Sequence, residues 1–178
     1  MASKHNNMEA RKAKDSFITM NELVLPNDTN TFGDLMGGKL MYWMDIAAYL
    51  SAAKHCNSAC MTASVDNLSF KTPIRLGNVI CIEACVTRAF NSSMEVHLKV
   101  WNQNMITQSR ELSNEAFFTF VGLDENKKPK KVPEVIPETE EEKKYYAGAL
   151  RRRQLRLILA GKMLPDDATE LKALFIKD

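Results

Sequence analysis

The sequence predicts an α+β fold in which a curved antiparallel sheet wraps around one long central helix. The stretch from roughly Leu35 to His55 is almost entirely apolar and has the length of a helix. Runs in which apolar and polar residues alternate follow it, with short connections between them. A helix that is apolar nearly all round must be enclosed, and a curved sheet is the wrapper that this chain offers.

The composition fits one ordinary domain and excludes several classes of protein. With 178 residues, 45% of them hydrophobic and 26% charged, the chain can bury a sizeable core but not two full domains. The net charge of +2 gives no reason to expect nucleic acid or an anionic membrane as a partner. No apolar run reaches the length of a signal peptide or a membrane span, so a cytoplasmic protein is expected.

The four cysteines are expected to be reduced, as in a cytoplasmic protein. Cys81 and Cys85 lie on one predicted strand about 13 Å apart, too far for a disulfide between them. Cys56 and Cys60 follow the helix without a second Cys or His pair at zinc spacing. No metal site is therefore expected.

Before the helix, we expect a flexible tail over residues 1–14 and a strand from Ser16 to Leu25. Pro26 and the turn residues after it end that strand. The strand-like runs after the helix are Met61–Phe70, Val79–Phe90, Ser93–Asn102 and Leu112–Leu123. The breaks between them contain the turn residues Pro73, Gly77, Asn78, Asn91, Ser92, Asn102, Gln103 and Asn104. Residues 15–124 therefore predict one domain with its last four strands in an antiparallel meander.

The composition changes at Asp124. Residues 125–137 are basic and contain three prolines, which predicts a linker. Residues 138–178 predict a C-terminal helical extension. Its main helix has acidic residues in its first turns and arginines in its later turns, which suits the helix dipole. A short last helix is expected from Asp167 to Phe175.

One carboxylate, Asp45, interrupts the apolar helix. Its helical neighbours are Met41, Met44, Ala48 and Tyr49, so the carboxylate is expected on a buried face. An ionised group in such a place is costly, and a carboxylate held away from water is a stronger base than a solvated one. A general base is one reading of this residue, and a core aspartate bonded to backbone groups is the other.

The loop before the helix holds further candidates. Asn30, by its type alone, is a turn or N-cap residue. Gly37 and Gly38 stand at the start of the helix, where backbone N–H groups can stabilise a developing oxyanion. The same two glycines also permit close packing of the helix on a sheet, and the two uses are compatible.

Several segments, in order along the chain, carry a family resemblance. They are ELVLPNDTN, FGDLMGG, the MD of YWMDIAA, MTASVDNLSF, KTPIRLG, VTRAFNSSMEV and FFTFVGLD. Together they resemble the cytosolic acyl-CoA thioesterases (acyl-CoA hydrolases) of the hotdog fold, in which a sheet wraps a central helix. The resemblance continues into PETEEEK and the arginine-rich helix after it.

The resemblance implies an enzyme that hydrolyses acyl-CoA to a free fatty acid and CoA. Asp45 then acts as general base or nucleophile, and Asn30 of the partner subunit orients the water or the carbonyl. Because this chain carries both residues in a single repeat, the resemblance implies a homodimer with two equivalent sites, and further assembly to a trimer of dimers. No metal or prosthetic group is implied, since CoA is part of the substrate.

The resemblance also implies where CoA binds. The positions that border the nucleotide and pantetheine are Ala63, Ser64, Val65, Ser92, Ser93 and Met94. For the 3′-phosphate of CoA the basic candidates are Lys71, Arg88, Arg153 and Arg156, of which the last two are preferred. The segment RRRQLR, which holds those two arginines, is otherwise a solvated helix face.

Two rival functions follow from the same fold. A hotdog dehydratase would need a histidine in the site, but we expect His55 to interact with the helix dipole and His97 to lie solvated on the polar face of a strand. Ser64 has no nucleophile-elbow context either. A non-catalytic acyl-CoA sensor would use the same groove, although this N-terminus is too short to supply a DNA-binding helix-turn-helix.

Overall fold

The structure is a computed structural model that describes residues 9–66, 68–70 and 72–175. The chain divides into two compact units, Met1–Ile136 and Pro137–Asp178. The first contains the strands and a helix of 20 residues, and the second contains a helix of 20 residues and one of four. No helix in the described part of the chain is long and apolar enough to cross a membrane.

The first unit is built from one long helix on a five-stranded antiparallel sheet, together with a separate pair of short parallel strands. Its strands are β1 (Arg11–Lys12), β2 (Ile18–Leu23), β3 (Cys60–Asp66), β4 (Val79–Ala89), β5 (Ser93–Asn104), β6 (Ser109–Gly122) and β7 (Val135–Ile136), and its helix is α1 (Gly37–Cys56). The sheet has the order β2-β4-β5-β6-β3, and every neighbouring pair in it is antiparallel. The predicted α+β class and central helix are confirmed.

The predicted meander of four strands is correct for only three of them. β4, β5 and β6 follow one another as neighbours, but β3 pairs with β6 at the far edge of the sheet. Since β2 occupies the outer side of β4, the outer side of β6 is the edge left for β3. The turn between β5 and β6 lies at residues 105–108, later in the chain than the predicted turn at Asn102–Asn104. Gln108 adopts the left-handed conformation in this turn.

Helix α1 lies on the sheet with one face only. Small buried side chains, Ala47, Ala48 and Ala52, let the helix approach the strands closely, and Met44 is fully buried beside them. The opposite face exposes a strip of large side chains: Met41, Tyr42, Tyr49 and Leu50. The sheet therefore packs on the buried face of α1 and leaves this strip uncovered in the single chain.

Two segments expected to be irregular are packed against the first unit. In the predicted tail, Arg11–Lys12 form β1, which pairs in parallel with β7, and Ala13 is buried. In the predicted linker, Val132 and Val135 are buried, and the Val132 N–H donates to Asn91 O at 3.0 Å. Apolar side chains hold these stretches in place despite the prolines and charges beside them, and residues 1–8 lie outside the described part.

The second unit contains the two helices expected at the C-terminus. Helix α2 (Glu140–Leu159) begins with a capping box: Thr139 Oγ1 accepts from the Glu142 N–H, and the Glu142 carboxylate accepts from the Thr139 N–H. Helix α3 (Thr169–Lys172) is shorter than expected. The Leu171 N–H donates to Gln154 Oε1 at 2.9 Å, which ties α3 to α2.

The close packing at the end of β6 predicts that Gly122→Ala destabilises the protein. A Cβ at this position would lie 2.7 Å from Val132 Cγ1, and buried Val132 has little room to move. We expect a loss of about 1–3 kcal/mol in the free energy of unfolding, measured by urea denaturation. Gly38→Ala is the matched control, because a Cβ there meets nothing within 4 Å. Equal stability of the two variants would contradict this packing.

Candidate active site

Asp45 lies on α1 at the border between the buried face and the exposed strip. Its side chain is half-buried, and its Oδ1 accepts a hydrogen bond of 2.8 Å from Thr62 Oγ1 on β3. Of the helical neighbours, Met44 is buried, whereas Met41 and Tyr49 are exposed. The prediction of a carboxylate on a fully buried face is thus wrong for the single chain, because α1 is covered by the sheet on one side only.

Strand pairing places the predicted CoA-binding run Ser92–Met94 near Thr62, the strand residue that contacts Asp45. Thr62 on β3 pairs with Phe120 on β6, and Phe120 pairs in turn with Met94 at the start of β5. The start of β5 is therefore about 10 Å from Thr62, two strands across. The ring of Phe120 also lies 6.5 Å from that of Tyr49, one turn after Asp45 on α1.

A β-bulge on β3 shapes the other predicted CoA-binding run. The register shifts between Thr62 and Ser64, so Ala63 has no partner on β6. Ala63 and Val65 are exposed, and Ser64 is half-buried with its hydroxyl 3.5 Å from Asp66 Oδ1. Because β3 is an edge strand, this run presents both small side chains and backbone to a ligand.

Asn30 is held in a tight turn before α1. Its Oδ1 accepts from the N–H groups of Phe32, at 2.9 Å, and Asp34, at 3.2 Å. A cavity of about 300 Å³ opens beside it. The residues that line the cavity are Asn30, Asp34, Leu35, Gly37, Leu40, Phe70, Thr72, Pro73 and Ile74. Asn30 and Gly37 share this cavity, and Asp45 is not among its lining residues.

Gly37 and Gly38 are the first residues of α1, so their N–H groups have no acceptor within the helix. A Cβ on Gly37 would lie 3.0 Å from the Phe70 ring, whereas one on Gly38 would meet nothing within 4 Å. Gly37 therefore permits close packing against Phe70, which is one of the two uses expected for these glycines. The exposed Gly38 N–H is open to a ligand.

Asp28 anchors the loop that carries Asn30. Its Oδ2 accepts from the Leu25 N–H at 3.0 Å, its Oδ1 pairs with Lys39 Nζ at 3.1 Å, and its carbonyl accepts from the Met36 N–H. The Leu25 N–H, helped by the Lys39 ammonium, lowers the pKa of Asp28 below its ordinary value. One buried carboxylate thus ties both ends of the loop to the first turn of α1.

The remaining predicted binding residues lie in the core, at the bulge of β4 and in the second unit. Met94 is fully buried, so its side chain is not exposed in the single chain, and its role as a CoA contact stays a prediction. Arg88 lies at a bulge of β4, with its guanidinium 5.7 Å from the centre of the Phe90 ring. Arg153 and Arg156 lie on α2 in the second unit. Lys71 lies outside the described residues.

Both histidines differ from expectation. His55 is buried, its Nε2 lies 2.9 Å from the Pro133 carbonyl, and burial lowers the pKa of its imidazole. It is a neutral core residue, not a cation at the helix end. His97 is also buried, stacked 4.8 Å from Phe117 with Nε2 3.2 Å from Glu115 Oε1, so it is not solvated.

Thr62 is the residue of this site that the sequence does not single out. It stands in the segment MTASVD, beside residues predicted to bind CoA, but nothing in the alternation of that run shows which side chain faces the helix. The bulge after Thr62 decides this. Within the described ranges, no three His, Cys, Asp or Glu side chains lie close enough together to hold a metal ion.

Comparison with known proteins decides the family. A model of the thioesterase superfamily matches residues 32–108. A Bacillus subtilis (strain 168) protein described as an uncharacterized acyl-CoA thioester hydrolase, YkhA, is 44% identical over 148 residues, which are 83% of this chain and 86% of that protein. The chain belongs to the acyl-CoA thioester hydrolases of the thioesterase superfamily. The family resemblance, and with it the prediction of a hydrolase, is confirmed. The same chain spans only 24% of mouse acyl-coenzyme A thioesterase 11.

Solved structures of acyl-CoA hydrolases share this fold. An apo-hexameric acyl-CoA thioesterase matches with a TM-score of 0.83 at 41% identity, over 85% of this chain and 97% of that one. The acyl-CoA hydrolase of Staphylococcus aureus, in complex with butyryl coenzyme A, coenzyme A and coenzyme A disulfide, matches with a TM-score of 0.78 at 35% identity, over 85% of this chain and 95% of that one.

Further structures of the Staphylococcus aureus hydrolase carry alanine in place of an asparagine, an aspartate or a threonine. These three positions have the same order and the same spacings along the chain as Asn30, Asp45 and Thr62 have here. The matches are 34% to 35% identical to this chain. The comparison thus draws attention to the same three residue types, including the threonine missed from the sequence.

The anchoring of the loop by Asp28 predicts a pH-dependent contribution to stability. Because the folded-state pKa of Asp28 is lowered, its contribution is present above the ordinary value of 3.8 and is lost as the pH falls through the lower folded value. Asp28→Asn should lower the free energy of unfolding by about 1–2 kcal/mol at pH 7, because it removes the carboxylate charge that the Leu25 N–H and the Lys39 ammonium contact.

Urea denaturation of both proteins between pH 7 and pH 3 measures this difference. We expect a constant gap down to about pH 4 and a shrinking gap below it. Asn27→Ser, at the exposed neighbouring position, is the control and should change stability by no more than about 0.5 kcal/mol. A gap that grows as the pH falls would contradict the assigned role of the Asp28 carboxylate.

Proposed function

We propose that this chain hydrolyses acyl-CoA thioesters to a free fatty acid and CoA, with Asp45 as the group that activates water. The observation that carries the proposal is the Asp45–Thr62 hydrogen bond at the edge of an apolar surface. A half-buried carboxylate that is oriented by a strand hydroxyl, and that has no ion pair with any residue the structure describes, is a preformed base. The family supplies the reaction class, and the matching spacings in the Staphylococcus aureus hydrolase support the choice of residues.

In this mechanism the Asp45 carboxylate takes a proton from water as the water oxygen attacks the thioester carbonyl. The Thr62 hydroxyl occupies Oδ1, which leaves Oδ2 for the proton. The carbonyl electrons move to oxygen, and the exposed N–H at the start of α1 stabilises the oxyanion, with Gly38 as the better placed of the two glycines. When the oxyanion collapses, the C–S bond breaks, and the CoA thiolate takes the proton from Asp45. A direct attack by Asp45 as nucleophile is the other form of the same assignment.

We propose that a second copy of the chain completes the site. A single chain leaves the α1 strip exposed, together with Met61 and Val65 on the edge strand β3, and an apolar surface of this kind is typical of an interface. Within one chain, Asn30 borders the cavity at the start of α1, and Asp45 does not. Asn30 of the partner subunit then orients the water or the carbonyl. The hexameric relative supports assembly of such dimers into a trimer of dimers.

Coenzyme A is proposed to bind along the edge of the sheet. The exposed Ala63 and Val65, the half-buried Ser64, Ser92 in the turn and Ser93 at the start of β5 offer backbone groups and hydroxyls. Arg88, Arg153 and Arg156 stay the proposed partners of the 3′-phosphate. No prosthetic group takes part in this proposal, and the cytoplasmic location stays a prediction.

Thiol release from acyl-CoAs of increasing chain length, from acetyl to palmitoyl, tests the proposal. We expect turnover by the wild type, and a loss of about 10²-fold to 10⁴-fold in kcat for Asp45→Asn with binding of a non-hydrolysable analogue retained. Thr62→Val keeps the shape and removes the hydrogen bond, so it should lose about tenfold in kcat. The chain length with the highest kcat/KM identifies the preferred substrate.

Matched controls are Asp15→Asn and Thr19→Val, which change the same residue types at exposed positions outside the site. Both should keep wild-type turnover. Turnover that survives Asp45→Asn would remove Asp45 from the chemistry. A wild type that binds the analogue without any thiol release would overturn the hydrolase and favour the acyl-CoA sensor.

A further inference from the structure

Two cysteine thiols meet where α1 passes into β3. Cys56 is the last residue of the helix, Cys60 is the first of the strand, and their Sγ atoms lie 3.1 Å apart. The turn between them is tight because Asn57 adopts the left-handed conformation at the helix end. Neither thiol takes part in the proposed hydrolysis. Their separation is short enough that a change of about 1 Å would join them in a disulfide.

The two thiols differ in chemical character. The hydrogen bond with the Cys60 thiol lowers the pKa of Cys56 to about 6, with help from the Ser58 hydroxyl at 3.2 Å and the charge of Lys130. The same contact raises the pKa of Cys60. At neutral pH, Cys56 is therefore a thiolate that can attack, and Cys60 is a thiol beside it that can respond.

The surroundings favour a small oxidant. Cys56 is only 4% exposed, and Cys60 is half-buried, so a large disulfide has poor access to the thiolate. A peroxide molecule is much smaller and needs less access than a disulfide does. Cys81 offers no competing thiolate, because burial raises its pKa. A thiolate beside a second thiol is the arrangement in which peroxide produces a disulfide by way of a sulfenic acid.

We propose that Cys56 and Cys60 form a peroxide-reactive dithiol that closes reversibly to an intramolecular disulfide. The Cys56 thiolate attacks one oxygen of the peroxide, the O–O bond breaks, and Cys56 becomes a sulfenic acid while the other oxygen leaves as hydroxide or alkoxide, which takes a proton from solvent water. The Cys60 sulfur then attacks the Cys56 sulfur, and the sulfenic oxygen leaves as water with the Cys60 proton. The two sulfurs are oxidised by two electrons in total, and the peroxide is reduced.

This site is independent of the thioesterase proposal, although it joins the same two elements. The disulfide would tie the last residue of α1 to the first residue of β3, and the Asp45–Thr62 hydrogen bond ties the same helix to the same strand. The test of this proposal therefore measures formation of the Cys56–Cys60 disulfide and not the hydrolysis of acyl-CoA.

The test is a titration of the full-length protein with hydrogen peroxide at pH 7, followed by thiol counting in denaturant and peptide mass mapping. We expect the wild type to fall from four titratable thiols to two, with a mass loss of two hydrogens, Cys56 linked to Cys60, and full recovery in dithiothreitol. Cys60→Ser should stop at the first step, with a sulfenic acid on Cys56 that a 1,3-dione reagent traps. Cys60 is half-buried, so this variant is expected to fold.

Two further variants complete the experiment. Cys81→Ala should leave the peroxide response unchanged, with the same pair linked. Cys56→Ser should give neither a disulfide nor a trapped sulfenic acid. The proposal is overturned if the wild type keeps four titratable thiols at peroxide concentrations that oxidise free glutathione, if the bond includes Cys81 or Cys85, or if it links two subunits.

Discussion

A single hydrogen bond, from the Thr62 hydroxyl to the Asp45 carboxylate, connects the two elements on which the candidate site depends. It gives a costly charge on an apolar helix a fixed orientation through a neutral hydroxyl. For the bond to form, the helix must lie close to the sheet, and buried alanines on α1 make this approach possible. The bulge after Thr62 shifts the register of β3 against β6 and so changes which of the following side chains lie on each face of the strand.

The sheet covers α1 on one side only, and this limits what a single chain can do. The uncovered strip of Met41, Tyr42, Tyr49 and Leu50 runs alongside Asp45 on the helix surface. In the proposed dimer the same surface both buries apolar area and receives Asn30 of the partner subunit. Assembly and catalysis would then rest on one patch, so an acid that is half-exposed in the monomer becomes enclosed only when the site is complete.

Local patterns in the sequence were sufficient for the parts of the fold that local physics decides. The period-two runs of β4 and β5 and the apolar stretch of α1 each specify an element whatever surrounds it. Strand order is different, because the pairing of β3 with β6 joins residues far apart in the chain. The packing of residues 125–136 depends on Val132 and Val135 finding a surface, and no pattern within that stretch shows it.

Some residues of the candidate site can likewise be recognised from the local sequence, whereas others depend on strand register. Asp45 stands out because an acid in an apolar helix breaks a local rule, and such breaks often mark function. Thr62 breaks no rule in its strand, and Met94 fits its segment whether it faces a ligand or the core, so their places depend on register. The Cys56–Cys60 contact likewise requires the left-handed turn at Asn57, which residue spacing alone does not reveal.

The central claim is that Asp45 of one chain works with Asn30 of the partner subunit, and mixing two inactive variants tests it most directly. Asn30→Ala and Asp45→Asn proteins are unfolded together, refolded together and assayed for thiol release. If the site spans two chains, activity should return to about a quarter of the wild-type value, since about half of the dimers are mixed and each keeps one intact site of two. If both residues of a working site come from one chain, no mixed dimer contains an intact site, and the mixture would stay as inactive as its components.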